Sequence, residues 1–122
     1  MLLDSNAIIY SIKPESDALR QLIAEHNPSV SAVSYVEVLG YHQLTVSDRE
    51  DFIEFFKTAQ IVSVSQPVLE QAVALRQQRK ISLGDSIIAA TALLNDLTLV
   101  TANVSDFRWI DNIKLKNPLT EL

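Results

Sequence analysis

The stretch from Ser82 to Asp106 constrains this chain most. From Ile87 to Leu94 every residue except Thr91 is apolar. A helix with one wet face alternates more than that, so this helix is expected to be buried on most sides. Ala89, Ala90 and Ala92 favour helix over strand, and their small side chains allow close packing against a sheet. Gly84 and Asp85 stand where the helix should begin, and Leu97-Thr-Leu-Val-Thr101 has strand composition. An acid therefore heads a buried helix, a strand follows, and a polar turn ending in Asp106 comes next. An ionised carboxylate in such surroundings is costly unless something compensates it.

What compensates Asp85 is the question the rest of the chain has to answer. With 122 residues and 48% hydrophobic content, the expectation is one compact domain over 1–122. No cysteine is present, which rules out disulfides and thiolate metal sites and fits a reducing, cytoplasmic setting. Asp4 interrupts any leader-like apolar start, and the run at 87–94 is far too short to span a bilayer. A net charge of −5 argues against a simple basic nucleic-acid clamp. If four acids are metal ligands, the remaining balance is close to neutral.

In chain order, Met1-Leu2-Leu3 predicts a buried first strand ending at Asp4-Ser5-Asn6, three residues that also suit a plain turn. Pro14 to Asp17 opens a helix with Leu19, Leu22 and Ile23 at helical spacing, and Asn27-Pro28 ends it. Ser29–Val33 alternates as a second strand. Ser34 and Glu37 then have the spacing of a capping box, which would leave Glu37 serving only its own helix. Ser47 and Glu50 repeat that spacing ahead of Phe52, Phe55 and Phe56, read as core or a protein contact, with Asp48 in a solvated first turn. Ile61–Ser65 predicts a third strand. Ser65 and Pro67 then open a helix with Val68, Leu69, Ala72, Val73 and Arg76 along one side. Arg76, Arg79 and Lys80 form the densest positive cluster: ordinarily a solvated helix C-terminus, alternatively a phosphate-steering patch. Ile113-Lys-Leu-Lys116 predicts an edge strand with its lysines outward. Trp109 is expected at the core rim, and His26 and His42 carry no assigned chemistry.

Strands alternating with helices indicate an α/β fold with a mostly parallel sheet of four to five strands and helices on both faces. The working crevice of such a sheet lies beyond the carboxyl ends of its strands. Asp4 ends strand one, Glu37 follows strand two, and Asp106 follows strand four. The helix headed by Asp85 runs opposite to strand four, so its N-terminus belongs at the same rim. The four acids can thus converge, although the short link from Arg79 to Asp85 requires an oblique crossing of the preceding helix. Carboxylates without nearby His or Cys suit Mg²⁺ or Mn²⁺, and such a site serves phosphoryl transfer or hydrolysis.

Four motifs in this order carry a family resemblance: Asp4-Ser-Asn, Ser34-x-x-Glu37, Gly84-Asp-Ser-Ile-Ile-Ala-Ala-Thr-Ala92 and Val100-Thr-Ala-Asn-Val-Ser-Asp-Phe107. Over nearly its whole length the chain resembles the PIN-domain ribonucleases, specifically the VapC-type toxins of bacterial toxin–antitoxin pairs. The resemblance implies a single PIN-like domain and a Mg²⁺- or Mn²⁺-dependent endoribonuclease acting on single-stranded RNA. It implies Asp4, Glu37, Asp85 and Asp106 as metal-binding and catalytic acids, supported by Ser5, Asn6, Ser34 and Asn103. Its implied partners are a second copy of the chain, making a homodimer, and a cognate antitoxin. Two positions depart from the usual pattern: Ser34 where Thr is common, and Ala102 where a basic residue is frequent.

Two further classes compete with this reading. A PIN-like module could bind RNA or protein without cutting, against which the intact acids weigh. A haloacid-dehalogenase phosphatase or a receiver domain also begins with an Asp after strand one. The phosphatase needs a second Asp where Asn6 stands, and a lysine between Ile81 and Lys114, where there is none. The receiver needs paired acids at the start and a late lysine, and fails similarly.

Overall fold

A computed structural model describes residues 1–119. The final three residues of the expected 1–122 domain lie outside the described residues. Five short strands form one sheet: β1 (Leu2–Leu3), β2 (Ser29–Ser31), β3 (Gln60–Val62), β4 (Thr98–Val100) and β5 (Lys114–Lys116). Their order is β3-β2-β1-β4-β5 and every pairing is parallel. The helices are α1 (Ser5–Ser11), α2 (Asp17–His26), α3 (Ala32–Leu39), α4 (Val46–Thr58), α5 (Gln66–Gln78) and α6 (Leu83–Leu94).

Two residues suffice for β1 because it is central and both of its faces are buried. Successive side chains on a strand point to opposite faces, and β1 divides the core accordingly. Leu2 joins Leu99, Phe107 and the inner residues of α5 and α6. Leu3 joins Val30, Val100, Ala7, Ile8, Val38, Phe52 and Phe56 on the other face. The apolar run of α6 is buried from Ser86 through Ala92, as its composition predicts. Thr91 survives there because its hydroxyl donates to the Ile87 carbonyl at 2.8 Å.

Several local expectations need correction. The second strand stops at Ser31, whose side chain caps α3 by accepting from the Val33 amide. Ser34 and Glu37 are therefore interior helix residues and form no capping box, and Glu37 sits in the second turn. Likewise Thr45, not Ser47, caps α4 through the Asp48 amide, and Asp48 is half-buried. Along α5 the buried face is Val68, Ala72 and Leu75, while Leu69 and Val73 face outward. On edge strand β5 only Lys114 is exposed. It pairs with Asp96 at 2.8 Å, clipping the α6–β4 turn to the sheet edge. Trp109 does pack at the core rim. At the link from α5 to α6, Arg79, the C-cap of α5, lies 5.4 Å over the Trp109 ring, and that indole donates to the Asp106 carbonyl.

Candidate active site

Pairing of Leu3 with both Val30 and Val100 brings the next residues of three strands to one edge. Asp4 stands there between the ends of β2 and β4, its amide bonded to the Val100 carbonyl at 3.0 Å. Its side chain caps α1, with one oxygen 3.4 Å from the Asn6 amide. The other accepts from the Thr101 hydroxyl at 2.7 Å. Only 3% of Asp4 is exposed. Burial raises its pKa, the Thr101 and backbone hydrogen bonds oppose that rise, and the charge of Glu37 adds to it.

Asp85 occupies the first turn of α6. Ser82 caps that helix, its hydroxyl accepting from the Asp85 amide at 3.1 Å. The Asp85 carboxyl is pushed up to about 6, first by burial, then by the charges of Asp4, Asp106 and Glu37; Ser82 partly offsets this. Acids from four separate segments thus act on one another at one rim. Among the described residues none of the four has an ion-pair partner; the pairs are Arg20–Asp17, Lys57–Glu54 and Lys114–Asp96.

Glu37 reaches the rim from the outer side of α3. The Ser5 hydroxyl lies 2.7 Å from Glu37 Oε1 and 2.8 Å from Ser34 Oγ. It has one proton, and an ionised carboxylate only accepts, so Ser5 donates to Glu37 and Ser34 donates to Ser5. Ser34 is wholly buried and connects to Glu37 through Ser5. Asp106 ends an exposed 3₁₀ turn, Val104–Asp106, whose carbonyl accepts from Trp109 Nε1 at 2.9 Å. Asn6 is exposed, and Asn103 is half-buried at the start of that turn. Arg76, Arg79 and Lys80 are exposed, and of these Arg79 contacts Trp109 beside the Asp106 turn.

Thr101 has a role that sequence reading passed over. Its buried hydroxyl donates to Asp4 and accepts from the Asn103 amide at 3.0 Å, joining the central acid to the loop that carries Asp106. The available signal was its place, one residue past β4, opposite Asp4 once β1 and β4 are known to be neighbours. Gly84 was legible as a motif residue at the helix start. In the fold it lies against the Glu37 carboxylate.

The donor set is of hard oxygens, and among the described residues no ion pair compensates its charge. In kind and in sign it fits a divalent cation such as Mg²⁺, which takes few protein carboxylates and keeps several waters. Among the described residues, no three His, Cys, Asp or Glu side chains are already closed around a point that could hold a metal ion. The acids form an open rim. Also among the described residues, no helix is long and apolar enough to cross a membrane.

Comparison with known proteins agrees with this architecture. The chain is 25% identical to Ribonuclease VapC10 of Mycobacterium tuberculosis, with 93% of this chain and 90% of that protein covered. It is similar to a chain of a toxin–antitoxin complex from Klebsiella pneumoniae, with TM-score 0.79, 29% identity and 96% of each chain covered. Rickettsia felis VapBC2, bound to a DNA fragment from its promoter, has the same fold, with TM-score 0.81, 23% identity, and 95% and 96% of the two chains covered. The PIN domain family model matches residues 1–112. With a parallel sheet that gathers four acids at its carboxyl edge and a family match over most of its length, this chain belongs to the PIN-domain family.

Proposed function

We propose that the chain is a Mg²⁺- or Mn²⁺-dependent endoribonuclease that hydrolyses single-stranded RNA, the toxin of a toxin–antitoxin pair. One observation carries the reading: Asp4, Glu37, Asp85 and Asp106 act on one another at one rim and, among the described residues, no cationic side chain is paired with them. Such a rim repels a phosphodiester until a cation is present. When bound, the divalent ion would lower the pKa of a water and neutralise charge on the phosphate oxygens.

In this reading Asp4, Asp85 and Asp106 hold the principal ion. Thr101 keeps Asp4 oriented, and Ser82 holds the first turn that carries Asp85. Glu37, fixed by Ser5, completes the site and orients the attacking water, so no covalent enzyme intermediate forms. Asn6 and Asn103 contribute polar contacts at the same edge.

The likeness to a toxin–antitoxin complex supports a cognate antitoxin as partner; a second copy of the chain is the other protein partner in this reading. A mostly apolar groove of about 510 Å³, lined by Ile9, Ile12, Val38, Tyr41, Leu44 and Phe52 among others, is a surface suited to a protein partner. The whole of 1–122 would act as one domain, in the cytoplasm where RNA is met.

The test is Asp85→Asn, which keeps the side chain's shape and removes its charge. Cleavage of a labelled single-stranded RNA in Mn²⁺ is expected to fall by at least about 100-fold. At roughly 100 times its dissociation constant, Mn²⁺ should add about 2.7 kcal/mol to wild-type stability, and most of that gain should vanish in the variant. Cleavage that persists in EDTA, with contaminating nuclease excluded, would refute the mechanism.

A further inference from the structure

Glu37 lies on α3, yet its carboxylate is drawn across to the first turn of α6. Ser5 holds Oε1 at 2.7 Å. On the other side the carboxylate rests against Gly84, one residue before Asp85. A Cβ placed on Gly84 would stand 2.8 Å from Glu37 Cδ and 3.0 Å from Oε1, and nearer still to Oε2. Real Cβ atoms do not approach that closely.

Backbone conformation does not call for glycine here. Among the described residues no glycine has positive φ, and Gly84 is helical. Alanine at a helical position of this kind is favoured over glycine by as much as about 1 kcal/mol. The same helix uses alanine at 89, 90 and 92, where it packs closely in the core. The chain has only two glycines, and one occupies the position where a methyl group would strike the Glu37 carboxylate. We propose that Gly84 is a positioning residue: its missing side chain leaves the space in which Glu37 is held at the rim beside Asp85. This deepens the nuclease reading and rests on it for its functional consequence. The atoms that would give way in Gly84→Ala are the far end of a flexible, exposed side chain, so the helix keeps its place and Glu37 is displaced.

The experiment combines Gly84→Ala and Glu37→Ala, singly and together. In the metal-free protein, Gly84→Ala should leave the melting temperature unchanged or slightly raised. The gain should be larger when Glu37 is already Ala, because the clash is then absent. In the Glu37 background Gly84→Ala should weaken Mn²⁺ binding, followed by calorimetry, by about 10-fold, with a parallel loss of RNA cleavage. In the Glu37→Ala background it should change neither. Equal effects in both backgrounds, unchanged Mn²⁺ affinity, or a melting temperature several degrees lower in Gly84→Ala alone would overturn the proposal. If the wild type neither binds Mn²⁺ nor cuts RNA, the nuclease reading fails instead; the steric assignment is then decided by the metal-free melting cycle alone.

Discussion

The two halves of the acid rim are held by different means. Asp4 and Asp85 sit on the rigid part of the fold: one ends the central strand, the other heads the helix most completely buried. Both carry raised carboxyl pKa values, with burial the largest cause. Glu37 and Asp106 are exposed, and side-chain contacts place them: Ser5 and Gly84 for Glu37, the Trp109 indole for the Asp106 turn. Backbone pairing can deliver an acid to an edge, where it must then tolerate burial. An acid arriving from the solvent side avoids that cost but needs separate contacts to hold it. Altering the first half should therefore change stability, whereas altering the second should change function with the fold intact.

The largest effect is expected at Thr101. Thr101→Val keeps the shape but removes the donor to a buried carboxylate and the acceptor for the Asn103 amide. It should cost about 1–3 kcal/mol, several degrees in melting temperature for a domain of this size, and Thr101→Ser should restore most of it. Glu37→Gln, on the exposed half, should melt within about 1 kcal/mol of wild type while losing activity. Equal destabilisation by the two would break the comparison.

A smaller effect concerns pH. Asp85 has a folded pKa of about 6 against the ordinary 3.8. The native state thus holds its proton more tightly than the unfolded chain does. The associated stability is fully present below about 3.8 and is lost as pH rises through about 6. Metal-free wild type should therefore melt progressively lower across that window. Asp85→Asn should flatten the decline, leaving the part due to Asp4, and should melt at or above wild type at neutral pH. Glu50→Gln, on an exposed stretch of α4, should reproduce the wild-type profile. A steeper decline in Asp85→Asn would show that the Asp85 carboxylate chiefly stabilises the first turn of α6.

The smallest effect is expected at the basic cluster. Replacing Arg76, Arg79 and Lys80 together by Gln should weaken RNA binding less than about tenfold, or 1.4 kcal/mol, in a filter-binding titration over salt. A larger loss with a flattened salt slope would show that these cations steer phosphate, a role the approach of Arg79 to Trp109 keeps open.

Much of this was legible in residue order. The run Ile87–Leu94 announced a buried helix because no wet face can be drawn on it. Leu2-Leu3 announced a buried first strand, and the carboxyl-edge rule alone places four distant acids on one rim. The capping residues were less legible. Ser31 and Ser34, or Thr45 and Ser47, are chemically interchangeable as caps, and the choice depends on where the preceding backbone stops. The outward turn of Leu69 and Val73 was similarly hidden, because helical spacing does not say which of two overlapping apolar stripes meets the core.

By itself, then, the sequence determined the class of fold, the identity of the acids and the edge on which they gather. These follow from periodicity and from the alternating direction of strands and helices along the chain. Only the tertiary structure decided how each acid is held. Thr101 beneath Asp4, Ser5 and Gly84 about Glu37, and Trp109 behind Asp106 are contacts between segments 29 or more residues apart in the cases of Ser5–Ser34 and Thr101–Asp4, or set by the exact turn of a loop. Their physical basis is hydrogen-bond reach and the exclusion of one methyl group, fits between distant segments that no residue pattern encodes.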